Sequence, residues 1–183
     1  MPVHIDGELQ EIASPYILVV NATTYGTTPL KLTVSAVGPS ERDFMAFMLQ
    51  ARSEFGEPAG RFSQAPVASK PMTCYSRDDT LTHTAAFIRP SMEVLWHPPA
   101  KNMGRVAFTG SIAVNKIKFW SVQSDYLNGE GKLDLSFPTR PSRKIKFADF
   151  LFLEFGSDVS TGAALRKRCW NSLCPALVAF AKL

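Results

Sequence analysis

Catalysis and metal binding need side chains that converge, and the residue types that supply them are sparse in this sequence of 183 residues. Its three histidines, His4, His83 and His97, are scattered, and the paired carboxylates Asp78 and Asp79 lie near His83. An imidazole binds metal or moves protons only with partners at short range, so all three read as ordinary strand or turn histidines. The Asp78-Asp79 pair supplies far fewer oxygens than a calcium cage requires and reads as a turn. The cysteines, Cys74, Cys169 and Cys174, are an odd set. Their single Cys-X4-Cys pair lacks the second pair of a zinc site, and one cysteine must stay free or take a partner from outside the chain. No Gly-X-Ser-X-Gly elbow, phosphate-cradling glycine loop or His-Glu-X-X-His motif occurs. The expectation is a protein that is not an enzyme and uses no metal and no cofactor.

Binding chemistry is better represented. Lys116, Lys118 and Trp120 alternate along one segment, so a strand there would present all three on one face. Such a cation-aromatic row is the ligand-binding candidate, suited to sulfated or phosphorylated glycans or anionic lipid headgroups. Its competitor is a solvated face whose lysines keep a sheet edge from aggregating. Asn21-Ala22-Thr23 is the one Asn-X-Ser/Thr sequon and lies just past an expected strand, which makes Asn21 the candidate glycosylation site. Residues 1–131 carry 11 Lys/Arg against 12 Asp/Glu, whereas residues 132–183 carry 9 against 4. The excess positive charge thus lies in the C-terminal part, and the near-neutral remainder argues against nucleic acid as a partner. Arg166-Lys167-Arg168 is too short a basic run to assign a role.

The elements that would position these residues are strands. Thirteen phenylalanines, thirteen prolines and many Thr and Val residues favour strands and turns over long helices. Tyr16 to Asn21 and Leu30 to Ala36 show period-2 alternation, with Leu30, Leu32 and Val34 against Lys31 and Thr33. Phe44 to Arg52, an almost continuous apolar run, fits a strand buried on both sides or a short helix, and is read as a strand because Gly56, Pro58 and Gly60 beyond it suit a sandwich loop. Thr80 to Ile88 is a further strand. In Met92 to Trp120, two alternating arms flank a break at Pro98, Pro99 and Gly104, and the segment reads as a β-hairpin. Met92, Val94 and Trp96 would point inward from the first arm, and Val106, Phe108, Ile112 and Val114 from the second. Lys116 to Val122 continues the second arm or follows a bulge at Asn115, with Ile117 and Phe119 inward and Lys116, Lys118 and Trp120 outward. The spacing predicts an all-β, immunoglobulin-like antiparallel β-sandwich of seven to nine strands over residues 1–127. Residues 128–183 form a less ordered C-terminal extension, which includes Phe147 to Phe155 and the weakly helical Leu165 to Leu183. No apolar run approaches the roughly 20 residues of a membrane-spanning helix. The first ten residues, with Asp6 and Glu8, do not read as a signal peptide, and at face value this means cytosol.

Taken together, FMAFMLQAR, GRFSQ, MTCYSRDDTLTHT, MEVLWHPP and KIKFW resemble in order and spacing the reelin (reeler) domain family. The match spans about residues 1–123 and looks closest to secreted insect defence proteins and to the ectodomain of ferric-chelate-reductase-like membrane proteins. Met1-Pro2-Val3-His4 is similar, with one spacing difference, to a stretch near the family's mature N-terminus. The resemblance implies an extracellular, non-catalytic recognition module in innate defence or adhesion. Its partners would be a polysaccharide or glycosaminoglycan-type ligand or a cell-surface protein, and the second reading is a reductase ectodomain fragment. It also implies that Cys74 is a half-cystine whose partner is missing, because the family's partner cysteine precedes the opening motif and this chain has none there.

Overall fold

The computed structural model describes residues 8–10, 12–39 and 41–134, and among them every regular element is a strand. In chain order these are β1 (Glu8–Leu9), β2 (Tyr16–Val20), β3 (Thr24–Tyr25), β4 (Leu30–Ala36), β5 (Ala46–Ser53) and β6 (Arg61–Ser63). They continue as β7 (Ser69–Met72), β8 (Thr80–His83), β9 (Ser91–His97), β10 (Arg105–Ala113), β11 (Lys118–Gln123) and β12 (Leu127–Gly129). Eight of the twelve have four or more residues, and the four shorter ones had no readable alternation. The expected extension beyond 134, with Phe147 to Phe155 and Leu165 to Leu183, lies outside the described residues.

The strands form two sheets. One has four strands in the order β2-β4-β9-β6, all antiparallel. The other has eight, along the path β1-β11-β10-β5-β8-β7, with β12 pairing β10 and β3. Two short pairs, β1 with β11 and β12 with β3, are parallel, and the long central strands are antiparallel throughout. Side-chain alternation decides what each strand buries. In β4, Leu32 and Val34 are fully buried, while Lys31 points out and pairs with Glu93 across the sheet at 3.0 Å. In β5, Phe47, Leu49 and Ala51 enter the core and the intervening Met48, Gln50 and Arg52 take the outer face. Its two edges are paired by β10 and β8, so its backbone groups are satisfied on both sides.

The expected hairpin from Met92 to Trp120 is not formed. β9 belongs to the four-stranded sheet and β10 to the eight-stranded one, so the Pro98 to Gly104 break is a crossover between layers. That loop is anchored elsewhere: Met103 N–H donates to the Tyr25 hydroxyl at 3.0 Å, and Asn102 Nδ2 donates to the Gly129 carbonyl at 3.0 Å. The two arms do meet, but face to face. The Trp96 and Phe108 rings pack edge-on with centroids 5.0 Å apart, at the centre of a core that includes Phe62, Val94, Val106 and Ile112. Alternation reports which side chains point inward; it does not report which strand lies alongside. The hairpin that does form joins β10 and β11, pairing Ile112 with Trp120.

Candidate functional site

The loop between β7 and β8 is built around one buried carboxylate. Asp79 is fully buried, and its Oδ1 accepts from the Cys74 N–H at 2.9 Å and the Thr80 hydroxyl at 3.1 Å. Its Oδ2 accepts from the N–H groups of Tyr75 at 2.8 Å and Ser76 at 2.9 Å. Asp78 sits in the left-handed region at φ 57°, where a short polar side chain is among the better tolerated. Its carbonyl accepts from Phe62 N–H at 2.8 Å, which ties the turn to β6. Held this way, Tyr75 stands 57% exposed. The Arg52 guanidinium lies 5.4 Å from its ring centroid, and that guanidinium also donates to the Gly56 carbonyl at 2.6 Å.

A second pair of the same kind lies across the sheet. Arg105, the first residue of β10, places its guanidinium 5.2 Å from the ring centroid of Tyr126, which is 43% exposed. Glu54 fixes the arginine: Oε2 accepts from Nη2 at 2.9 Å and from Nε at 3.1 Å, and Oε1 accepts from the Arg105 backbone N–H at 3.2 Å. Burial pushes the Glu54 carboxyl up, but the Arg105 hydrogen bonds and charge together outweigh it and hold the group below its ordinary value. The same hydrogen bond and charge push the Arg105 guanidinium up.

Strand register brings the two pairs together. Ala107 on β10 faces Arg52 on β5, so Arg105, two residues earlier on the same face, is the diagonal neighbour of Arg52. Diagonal positions lie about 7–8 Å apart, within reach of long side chains. The two stacks thus form a lane of Tyr75, Arg52, Arg105 and Tyr126 on the outer face of the larger sheet, over Ala107, which is 4% exposed beneath its neighbours. Tyrosine rings offer flat apolar faces with a polar tip, and guanidinium groups offer planar, directional donors. Such a lane can stack sugar rings and hydrogen-bond their hydroxyl, carboxylate or sulfate groups. Elsewhere, a cleft of about 260 Å³ is lined by residues including Glu41, Asp43 and Ile88. Of its polar groups, Glu41 pairs with Lys118 and the Asp43 carbonyl accepts from the Tyr16 hydroxyl at 2.8 Å.

The family model of the Reeler domain matches residues 1–132, most of the chain. The chain belongs to the Reeler domain family. Among curated proteins, the Defense protein l(2)34Fc of Drosophila melanogaster is 28% identical over 117 residues, which is 62% of this chain and 70% of that protein. Among solved structures, the Reelin-N domain of F-spondin matches at 23% identity with a TM-score of 0.56, covering 70% of this chain and 95% of that one. The human F-spondin reeler domain matches at 23% identity with a TM-score of 0.54, covering 68% and 96%. The likeness to these structures establishes the β-sandwich fold.

In this Reeler domain the expected row of Lys116, Lys118 and Trp120 does not exist. Trp120 is 1% exposed and packs edge-on against Tyr16 at 5.5 Å. Lys118 is half-buried, ion-paired to Glu41 at 2.5 Å, with its ammonium 5.0 Å from the Trp120 ring; Lys116 is exposed in the turn. The reason is local. Asn115 Oδ1 accepts the N–H groups of Ile117 at 2.8 Å and Lys118 at 2.7 Å, closing a turn that returns the chain in register with β10. Trp120 therefore shares the inward face of its partner Ile112, and Ile117 is left 54% exposed. Cys74 is 5% exposed, with its backbone N–H held by Asp79. Asn21 is exposed at the end of β2. His83 is a core residue whose Nδ1 lies 3.1 Å from the Phe47 carbonyl, His97 Nε2 meets Ser63 Oγ at 2.6 Å, and His4 lies outside the described residues.

Arg52, Tyr75, Arg105 and Tyr126 were not legible as a site in the sequence. Alternation places both arginines on polar faces, but only the β5–β10 register makes them neighbours, and the Asp79-centred loop brings Tyr75 beside them. The Asp in MTCYSRDD, read as a turn residue, is the one local sign that the preceding tyrosine is held in place.

Proposed function

We propose that this chain is an extracellular recognition module without catalysis of its own, and that it binds polysaccharide through the Tyr75–Arg52–Arg105–Tyr126 lane. Family membership supports the coarse role, an extracellular module that is itself non-catalytic. The observation that carries the finer reading is the pair of tyrosine–arginine stacks set side by side on an outer sheet face. Aromatic faces bind pyranose rings by stacking, and guanidinium groups supply in-plane donors, so the lane suits a chain of sugars more than a compact metabolite. A role in innate defence is supported by the name of the Drosophila relative, a defence protein.

The test is binding of the full chain to immobilised β-glucan, lipopolysaccharide and heparin, with heat-denatured protein as control. The wild type binds at least one of them, and Tyr75→Ala and Tyr126→Ala each weaken that binding about tenfold, the loss of one stacking contact of roughly 1.4 kcal/mol. No signal above the denatured control, or full binding by the Tyr75→Ala, Tyr126→Ala double variant, would overturn the proposal.

A further inference from the structure

β2 is an edge strand that lacks the usual protections. It lies at the end of the four-stranded sheet, and among the described residues no strand covers its free side. Its sequence, Tyr-Ile-Leu-Val-Val, has no charge, proline or glycine, and high β propensity throughout. Natural edges are blunted by lysines, prolines or bulges, and an exposed apolar edge without them is a site for strand addition by a second molecule. Tyr16 and Leu18 are buried in the core, whereas Ile17 is 41% and Val19 48% exposed on the outer face.

Asn21 is the next position in that exposed column. The β2–β4 register pairs Ile17 with Ser35 and Val19 with Thr33, and the Asn21 N–H donates to the Lys31 carbonyl at 3.4 Å, which carries the ladder one step further. Period-2 geometry therefore puts the Asn21 side chain on the same face as Ile17 and Val19. Asn21 and Thr23 of the sequon are both exposed.

We infer that Asn21 carries an N-linked glycan whose function is to cover the Ile17–Val19 edge and keep the domain from pairing through β2. A branched carbohydrate one step beyond an apolar strand acts as a gatekeeper, as charged residues do elsewhere. It blocks approach of another strand sterically, and it lays sugar C–H faces over the two aliphatic side chains. This inference rests on the extracellular reading but not on the polysaccharide lane, so the binding assays and the experiment below fail independently.

The full chain is secreted from insect cells behind a heterologous leader, glycan occupancy at Asn21 is read by peptide mass spectrometry, and self-association is followed by sedimentation velocity over a concentration series. The wild type is expected to be occupied at Asn21 and to hold a constant mass. Asn21→Gln and Thr23→Ala, which remove the sequon from either end, should show a mass that rises with concentration. Adding Ile17→Lys and Val19→Lys to either variant should return it to the wild-type value. An unoccupied Asn21 in the secreted wild type overturns the inference, as does a constant mass for both sequon variants. Association that survives the two lysines overturns it as well.

Discussion

At the scale of single residues, two carboxylates set the shape of the proposed binding lane, and each makes a separate expectation. Asp79 satisfies three backbone N–H groups and one hydroxyl from a fully buried position. Replacing it with alanine takes the acceptor from those donors, of which the Cys74 N–H and the Thr80 hydroxyl are buried. Asp79→Ala should lower stability by about 3 kcal/mol in denaturant titrations, within the range for losing charge-assisted hydrogen bonds and orphaning buried donors. It should also abolish any binding that depends on Tyr75, because the loop is shaped by the same bonds. Glu54 acts on the other rim. Arg105 holds its pKa below the ordinary 4.5, so its contribution to folding is complete above that value and is lost as the pH falls through it toward the depressed folded-state value. Both side chains are partly exposed, which keeps the effect small. Stability measured from pH 7 down to pH 3 should fall less steeply in Glu54→Gln than in the wild type, and equal slopes would show that the ion pair carries no net energy.

At the scale of elements, much of the sandwich was legible because each strand is a short alternating run bounded by glycine or proline. β4, β5 and β9 lie where alternation and composition place them, with Leu32, Phe47 and Trp96 buried as expected. What alternation could not carry is pairing. The same inward columns on β9 and β10 fit a hairpin or two facing sheets, and the choice was made by the anchoring of the intervening loop to Tyr25 and Gly129. Likewise, the phase of β11 depends on the Asn115-capped turn, and assuming a bulge there inverts the strand and turns Trp120 outward. A glycine provides a direct check on strand pairing. Gly60, at φ 67°, precedes β6 where it pairs with β9, and a β-carbon there would meet the His97 carbonyl and lie 2.7 Å from the Trp96 ring. Gly60→Ala must displace the tryptophan at the centre of the core, whose indole N–H donates to the Ala59 carbonyl at 3.0 Å. A loss of about 2 kcal/mol or more, with a shift in tryptophan emission, is the expected result. Unchanged stability would place the β6–β9 seam elsewhere.

At the scale of the whole molecule, the two sheets are held together by aromatic contacts at opposite parts of the core. Trp96 and Phe108 form one, and Tyr16 on β2 with Trp120 on β11 forms the other, where Phe44 also packs against Tyr16 at 5.7 Å. The second contact contains a group that can be charged. Burial, with the nearby carboxylates of Glu41 and Asp43, pushes the Tyr16 phenol up to about 12. The folded state therefore keeps its proton where an unfolded chain gives it up. The stabilisation from the neutral phenol is complete below pH 10 and declines as the pH rises from 10 through 12. Tyr25, also raised by burial, adds in the same direction. Because Tyr16 spans both layers, ionising it should open the sandwich as a unit, so the circular-dichroism and tryptophan-fluorescence transitions should move together as the solution is made alkaline. Tyr16→Phe gives up the hydrogen bond to the Asp43 carbonyl, costing about 1 kcal/mol at neutral pH, and should lose stability less steeply above pH 10 than the wild type. A variant that follows the wild-type slope across that range would mean that the phenol ionises without disturbing the junction, and the contact between sheets would then rest on Trp96 and Phe108.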